Sequence, residues 1–442
     1  MVNFLHLSDI HFREYSNDNF DTDGDLRNEI ELDAKRFAET HFVPDAILVS
    51  GDIAFSGQED EYSIAKDWLS NLASLVKCEE TSVWCVPGNH DVDQSVIKKS
   101  KVLESTQAEV RNVANTQSNE LDSYLRSLIT DELATEFLFK PIEQYNKFAA
   151  TFGCEILPEK QVWQEKFILD DGSELRLNGL MSTLCSNHLD NEKGFIVVGE
   201  YQIPEREDGV VDVIMCHHPH DWIRSSTGFF NKANSRAHLQ LFGHKHIQSM
   251  DRMNDSLHLV AGAVHPDKRE SNWVPRYNWI SISIEVDSSR KLKIRVYPRI
   301  WSEDKTQFQT DHNRCEGREF LDYVFELPMW ERQLSENIVV DVSGNQANDE
   351  NGMSTSIDHV PEGKAMDPAR TLAYRFFGLS HTQRIEIAIR LKLLNDTDEG
   401  IEDHELYNRI FDRAKTGDVL SQLWDAIEHE YSDGKHDQNP FD

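Results

Sequence analysis

Five short apolar runs in this chain stop at a histidine, an aspartate or an asparagine. They are "FLHLSDIH" (4–11), "AILVSGD" (46–52), "VWCVPGNHD" (83–91), "VDVIMCHHP" (211–219) and "LQLFGHKH" (239–246). A short, mostly apolar run of this kind suits a strand covered on both faces. Residues 25–41 and 59–75, between the first three runs, have the periodicity of amphipathic helices. The opening 90 residues therefore read β-α-β-α-β, which predicts an α/β fold. Ligands of α/β sheets bind at the carboxyl ends of the strands, where these polar tips fall.

Further strands are expected from 160 on, in "VWQEKFIL", "ELRLNGLMS" and "LHLVAGA", and a hairpin in "WISISIEV" and "LKIRVYPRI" around "DSSRK". Residues 92–155 are polar and patterned as helices, so they read as a helical insertion or cap. Residues 333–367 are rich in Asn, Ser, Asp and Gly and read as a flexible linker between a domain at 1–332 and a small all-α domain at 368–432. Ser380 is a helix-start signal in that second domain, and the last ten residues are expected to fray. No internal repeat is present.

Composition narrows the function classes. With 45 basic against 78 acidic residues the net charge is −33, which repels polyanions at long range. Binding of nucleic acid through a broad basic face is therefore not expected. A divalent cation or a local patch can still recruit a phosphate. The six cysteines, at 78, 85, 154, 185, 216 and 315, form no CxxC pair. They read as reduced, buried thiols. No stretch reaches the roughly 18 apolar residues of a membrane span. The N-terminus has no basic region or cleavage site, so a cytoplasmic protein is expected.

The polar tips collect Asp9, His11, Asp52, Asn89, His90, His217, His244 and His246. Carboxylates and imidazoles suit Mn, Fe, Zn or Ni. A carboxylate can bridge two ions, and two such ions about 3.5–4 Å apart clamp a phosphoryl group and activate water for in-line attack.

The blocks "DIH" (9–11), "GD" (51–52), "GNHD" (88–91), "HHP" (217–219) and "GHKH" (243–246), in this order, resemble those of the calcineurin-like metallophosphoesterases. The resemblance spans about residues 1–330. It implies a four-layer αββα sandwich holding two divalent ions, with manganese first and iron, zinc or nickel as alternatives. It implies that Asp9, His11 and His246 hold one ion, that Asn89, His217 and His244 hold the other, and that Asp52 bridges them. His90 would protonate the leaving alkoxide, and Asp91 would orient rather than ligate. His217 stands two residues before Pro219, as the family spacing requires, so it is preferred over His218. His218 and His220 then read as packing or rim residues. His6, His188, His258 and His265 carry no assigned role.

The implied activity is phosphoester hydrolysis. Nucleotide phosphodiesters are favoured as substrates by the net charge, and nucleic acid ends are the alternative. A non-catalytic scaffold would be expected to have lost a ligand, and none is lost. The stretch 19–25 resembles a calcium loop only in part, since Ile30 stands where a bidentate glutamate is needed. Lys268, Arg269 and Arg276 read as a solvated face. Residues 368–432 resemble the effector-associated or death-fold-like adaptor modules of bacterial conflict systems. That implies a protein partner or self-association, and an effector role in defence or signalling. A four-helix cap packed on the enzyme is the alternative.

Overall fold

The computed structural model describes residues 1–13, 23–188, 190, 193–224, 227–265 and 274–330, and parts of 372–429. The acidic stretch at 14–22, Lys268, Arg269, the 333–367 segment, Ser380 and residues 430–442 lie outside the described residues.

The first strands alternate with helices: β1 (Val2–Leu7), α1 (Gly24–Thr40), β2 (Ala46–Val49), α2 (Glu59–Val76) and β3 (Val83–Cys85). The three strands are parallel, and Leu7, Val49 and Cys85 lie side by side in register. That register brings the tips that follow them to one edge of the sheet. β2 and β3 are buried along their whole length, which is why their sequences do not alternate.

Five helices follow: α3 (Gln94–Lys99), α4 (Lys101–Thr116), α5 (Leu121–Ile129), α6 (Glu132–Phe139) and α7 (Glu143–Ala150). Asp93, Ser100 and Asp131 start three of them by accepting a backbone N–H two or three residues on. Tyr145 of α7 donates to the Cys85 carbonyl at 3.1 Å, which ties the helical segment to the end of β3.

A second sheet is built from β4 (Val162–Ile168), β5 (Glu174–Leu180), β6 (Val210–Met215), β7 (Ala237–Phe242), β8 (Ser249–Met253) and β9 (Ser256–Val260), in the order β4-β5-β6-β7-β9-β8. Met215 pairs with Leu241, so His217 and His244 also emerge from one edge. The remaining strands are β10 (Arg276–Val286), β11 (Arg290–Ser302), β12 (Gln307–Thr310) and β13 (Leu321–Leu327). β10 and β11 form the expected hairpin. They extend the first sheet to β12-β11-β10-β1-β2-β3, with β13 also on β11.

The two sheets pack face to face. Phe4 meets Phe167 edge-on at 5.2 Å, and Trp84 meets Trp163 at 4.9 Å. The Trp163 indole donates to the Cys85 carbonyl at 2.8 Å, so its buried N–H is satisfied. On the outer face of the first sheet, Phe37 of α1 stacks on Trp279 at 4.5 Å. On the outer face of the second, Phe229 and Ala233 of α8 (Thr227–Arg236) share a separate apolar cluster with Ile214 and Phe242. The result is the four-layer α/β sandwich that the sequence predicts.

Helices His381–Arg390, Asp403–Thr416 and Leu420–Glu428 belong to an all-α unit with its own core, including Phe376, Ile387, Ile410 and Trp424. All six cysteines are buried and unbridged. No described helix is long and apolar enough to cross a membrane.

Trp163 spans the join between the sheets at 1% exposure. Trp163→Ala is expected to destabilise the protein by about 3–5 kcal/mol, read as a lowered urea midpoint.

Candidate metal centre

The tips meet at the shared edge of the two sheets. Asp9, His11 and His246 offer ligand atoms within 4.8 Å of one another, as do Asp9, Asp52 and His217, and also His11, Asp52 and His90. Asp52 and Asp9 thus recur in neighbouring groups. Asn89 joins through its amide oxygen, 2.8 Å from His244 Nδ1 and 3.2 Å from His217 Nε2.

Backbone conformation aims these side chains. Asp9, His11, Asp52, His244 and His246 all have φ between 51° and 69°, a region that side-chain-bearing residues seldom adopt. Crossing hydrogen bonds hold them there. Asp9 N–H donates to the Gly51 carbonyl at 3.0 Å, and His11 N–H to the Asp52 carbonyl at 3.1 Å. The tips of β1 and β2 therefore lock each other. Gly243 has an ordinary φ and matters for space. A Cβ there would lie 2.1 Å from Ser8 Oγ and 2.9 Å from Asp9 Oδ2. Gly51 has φ +97°, and a Cβ there would lie 2.4 Å from the His217 ring.

Two of the imidazoles, His217 and His90, are oriented by their second nitrogen. His217 Nδ1 donates to the Ser50 carbonyl at 2.8 Å, which leaves Nε2 facing Asn89 and, at 3.2 Å, Asp52 Oδ2. His90 Nδ1 donates to the Phe55 carbonyl at 2.8 Å, and its backbone N–H donates to Asp52 Oδ1 at 2.8 Å. In "GHKH" the two imidazoles face different partners. His244 lies against Asn89, and His246 Nε2 lies 3.4 Å from Asp9 Oδ1. Lys245 between them reaches Asp221 at 2.8 Å.

The carboxylate of Asp91 touches no imidazole. It accepts backbone N–H groups from Gly88 (2.8 Å), Ala54 (2.9 Å) and Ile53 (3.1 Å), and the Tyr62 hydroxyl at 2.9 Å. Its role is to fasten the loop after β2 to the loop after β3. Burial, then the neighbouring Asp52 charge, push Asp91 up to about 6.

His218 is not on the rim. It is fully buried beside His217 and His244, offers a ligand atom within 4.8 Å of theirs, and bonds Ser182 Oγ through Nδ1 at 2.8 Å. His220 is buried and bonds Gln240, while His6 bonds Ser50. His265 Nδ1 donates to the Ile10 carbonyl, and Arg276 pairs with Asp311.

Charge within the cluster is unbalanced without cations. Asp9 and Asp52 are buried side by side, and no lysine or arginine among the described residues pairs with either. Buried charges are kept only when paired or bound to metal. Burial pushes the Asp52 carboxyl up, but the charges of His217 and His90 outweigh it and hold it well below the usual range. Burial pulls His217 down, and Asp52 outweighs that, raising it to about 9. Burial lowers His11 and His244 to about 3, so both stay neutral and able to ligate. His11 Nδ1 is buried without a hydrogen-bond partner. This donor set of carboxylate, imidazole and amide oxygen fits divalent transition ions.

The calcineurin-like phosphoesterase model matches residues 2–248. The chain belongs to the calcineurin-like phosphoesterase family. The family is metal-dependent, and its motifs here coincide with the candidate ligand clusters. The GTPase-associated adaptor domain model matches residues 368–429, so the C-terminal unit is similar to an adaptor. No curated protein matches the chain. Among solved structures, a Vps29 mutant from Entamoeba histolytica is 10% identical, with 74% of this chain and 100% of that one covered, at TM-score 0.27. A putative 5′-nucleotidase from Staphylococcus aureus is 11% identical, with 75% and 55% covered, at 0.32. A novel archaeal phosphodiesterase is 10% identical, with 70% and 98% covered, at 0.25. Likenesses this distant carry no argument about activity.

His217 must be neutral to ligate. Its raised pKa favours the metal-free fold fully below 6.5, and that contribution is lost as pH rises through about 9. Metal binding at pH 7 is therefore expected to release a proton. Apparent affinity should rise about tenfold per unit from pH 7 to 9. Calorimetric titration of Mn²⁺ in buffers of different ionisation heat measures the release, and His217→Gln should remove it.

Proposed function

We propose that this chain is a dinuclear-metal phosphodiesterase acting on nucleotide-type substrates. The observation that carries the reading is the position of Asp52, within ligand distance of His11 on one side and of His217 on the other. One ion would be held by Asp9, His11 and His246, the other by Asn89, His217 and His244, with Asp52 between them. Manganese is the first candidate, ahead of iron, zinc or nickel. Ions so placed polarise phosphoryl oxygens and supply a nucleophile near neutral pH.

The protein's own groups do the rest. His90 is tethered through Nδ1, so Nε2 is the nitrogen free to hydrogen-bond the phosphate and protonate a departing alkoxide. Asp91 holds His90 and Asn89 in place by fixing the backbone on either side of them. The net charge of −33 supports a small nucleotide over a long polyanion. The match to an adaptor family supports a protein partner for residues 368–432, from a GTPase-associated system or another copy of the chain.

Asp52→Ala and His246→Ala should each abolish Mn-dependent hydrolysis of bis(p-nitrophenyl) phosphate. Wild-type rates in both would sink the assignment. His90→Ala should keep its bound metal while losing about 10²–10⁴ in rate on esters with poor leaving groups. An equal loss of metal would make it a ligand instead.

The two units have separate cores. Deleting residues 368–442 should therefore leave model-substrate hydrolysis intact and remove self-association or partner capture, measured by light scattering and affinity pull-down. A dead truncated enzyme would favour the packed cap.

A further inference from the structure

His90 forms part of the wall of a cavity of about 400 Å³, within the ~300–1,000 Å³ typical of small-molecule sites. Three segments complete it: Phe55 after β2, Asp93 and Gln94 entering α3, and Asn187, His188 and Asp190 in the loop after β5. His90 also offers a ligand atom within 4.8 Å of His11 and Asp52. It therefore stands between the ligand cluster and this cavity. If His90 protonates the departing oxygen, the group attached to that oxygen extends into the cavity.

The lining says what that group is. No lysine or arginine among the described residues lines the cavity, while two carboxylates do. Asp93 Oδ1 accepts the Ser95 N–H at 2.8 Å. Asp190 is 2% exposed, and its Oδ2 accepts the Asn187 N–H at 2.9 Å and the Ser186 hydroxyl. Its Oδ1 is buried with no hydrogen-bond partner. Asp93 pairs with no lysine or arginine among the described residues, so its charge repels a second phosphate, whereas the Arg111 charge partly offsets that of Asp190. Asp93 is partly exposed on the wall, so its carboxylate can accept a hydroxyl or an amine from a bound group. Phe55, 38% exposed, adds an apolar wall, with the Arg13 guanidinium 3.7 Å from its ring centroid.

We propose that this cavity is a leaving-group subsite for an uncharged, hydrogen-bond-donating alcohol of the nucleoside class. The substrates it fits are phosphodiesters whose leaving side carries no further phosphate. An internal bond of a polynucleotide, with a phosphate on each flanking nucleotide, does not fit. This deepens the proposed phosphodiesterase reading and rests on it, including the role of His90.

The test measures kcat/KM of the Mn-loaded full-length protein on three substrates. They are bis(p-nitrophenyl) phosphate, a dinucleoside monophosphate, and the same dinucleotide phosphorylated at both ends, so that either leaving group is charged. The subsite predicts that the uncapped dinucleotide is favoured by about tenfold or more over the doubly phosphorylated one. Asp93→Asn retains a helix-capping side chain and should narrow that ratio by about threefold. Equal or faster cleavage of the phosphorylated dinucleotide overturns the subsite while leaving the phosphodiesterase reading intact. So does cleavage of neither dinucleotide when bis(p-nitrophenyl) phosphate is turned over. Failure on all three substrates overturns the phosphodiesterase reading itself, and the subsite with it.

Discussion

The carboxylates of Asp9 and Asp52 lie buried beside one another, and no lysine or arginine among the described residues pairs with them. Two like charges out of water are strongly unfavourable unless opposite charge is supplied. A ring of imidazoles drawn from both sheets surrounds the pair, and His217, raised to about 9, brings positive charge 3.2 Å from Asp52 Oδ2. The level ends of β1, β2 and β3, and of β6 and β7, make that ring possible. The sandwich therefore acts as a frame that brings two sheet edges to one point. Its central packing, from Phe4 against Phe167 to Trp84 against Trp163, keeps the two edges in register.

A second carboxylate of different use supports the first pair. Asp91 spends its lone pairs on three backbone N–H groups and the Tyr62 hydroxyl. The turn carrying Asp52 and the turn carrying Asn89 are thereby fastened through one side chain. The link continues outward, because Tyr62 lies on α2, and α2 packs on α7. The geometry of the candidate ligands depends in this way on side chains outside the cluster.

The five motif blocks were legible because buried strands need mostly apolar runs and each run here stops at chemistry-bearing residues. The same logic gave the hairpin at β10 and β11. β8 was not legible, since "SMDRM" is a largely exposed edge strand without an apolar run. α8 has too weak a stripe to announce itself, with only Phe229, Ala233 and Asn234 buried. Nothing in the local sequence marks why Gly243 is needed, since its place is set by the closeness of Ser8 and Asp9, a contact across more than 230 positions of sequence. His218 and the cavity residues Asn187, His188 and Asp190 escaped for a related reason. Their surroundings come from distant segments, and nothing in their local spacing marks them.

The left-handed backbone at Asp9, His11, Asp52, His244 and His246 has a further cost. Each such conformation in a residue with a side chain is disfavoured by about 1–3 kcal/mol relative to relaxed backbone. Glycine at any of the five would relieve that strain and delete a candidate ligand in one step. The chain could thus become sturdier by surrendering its centre. Selection for stability alone would erode these positions, so their presence together accords with the proposed metal site.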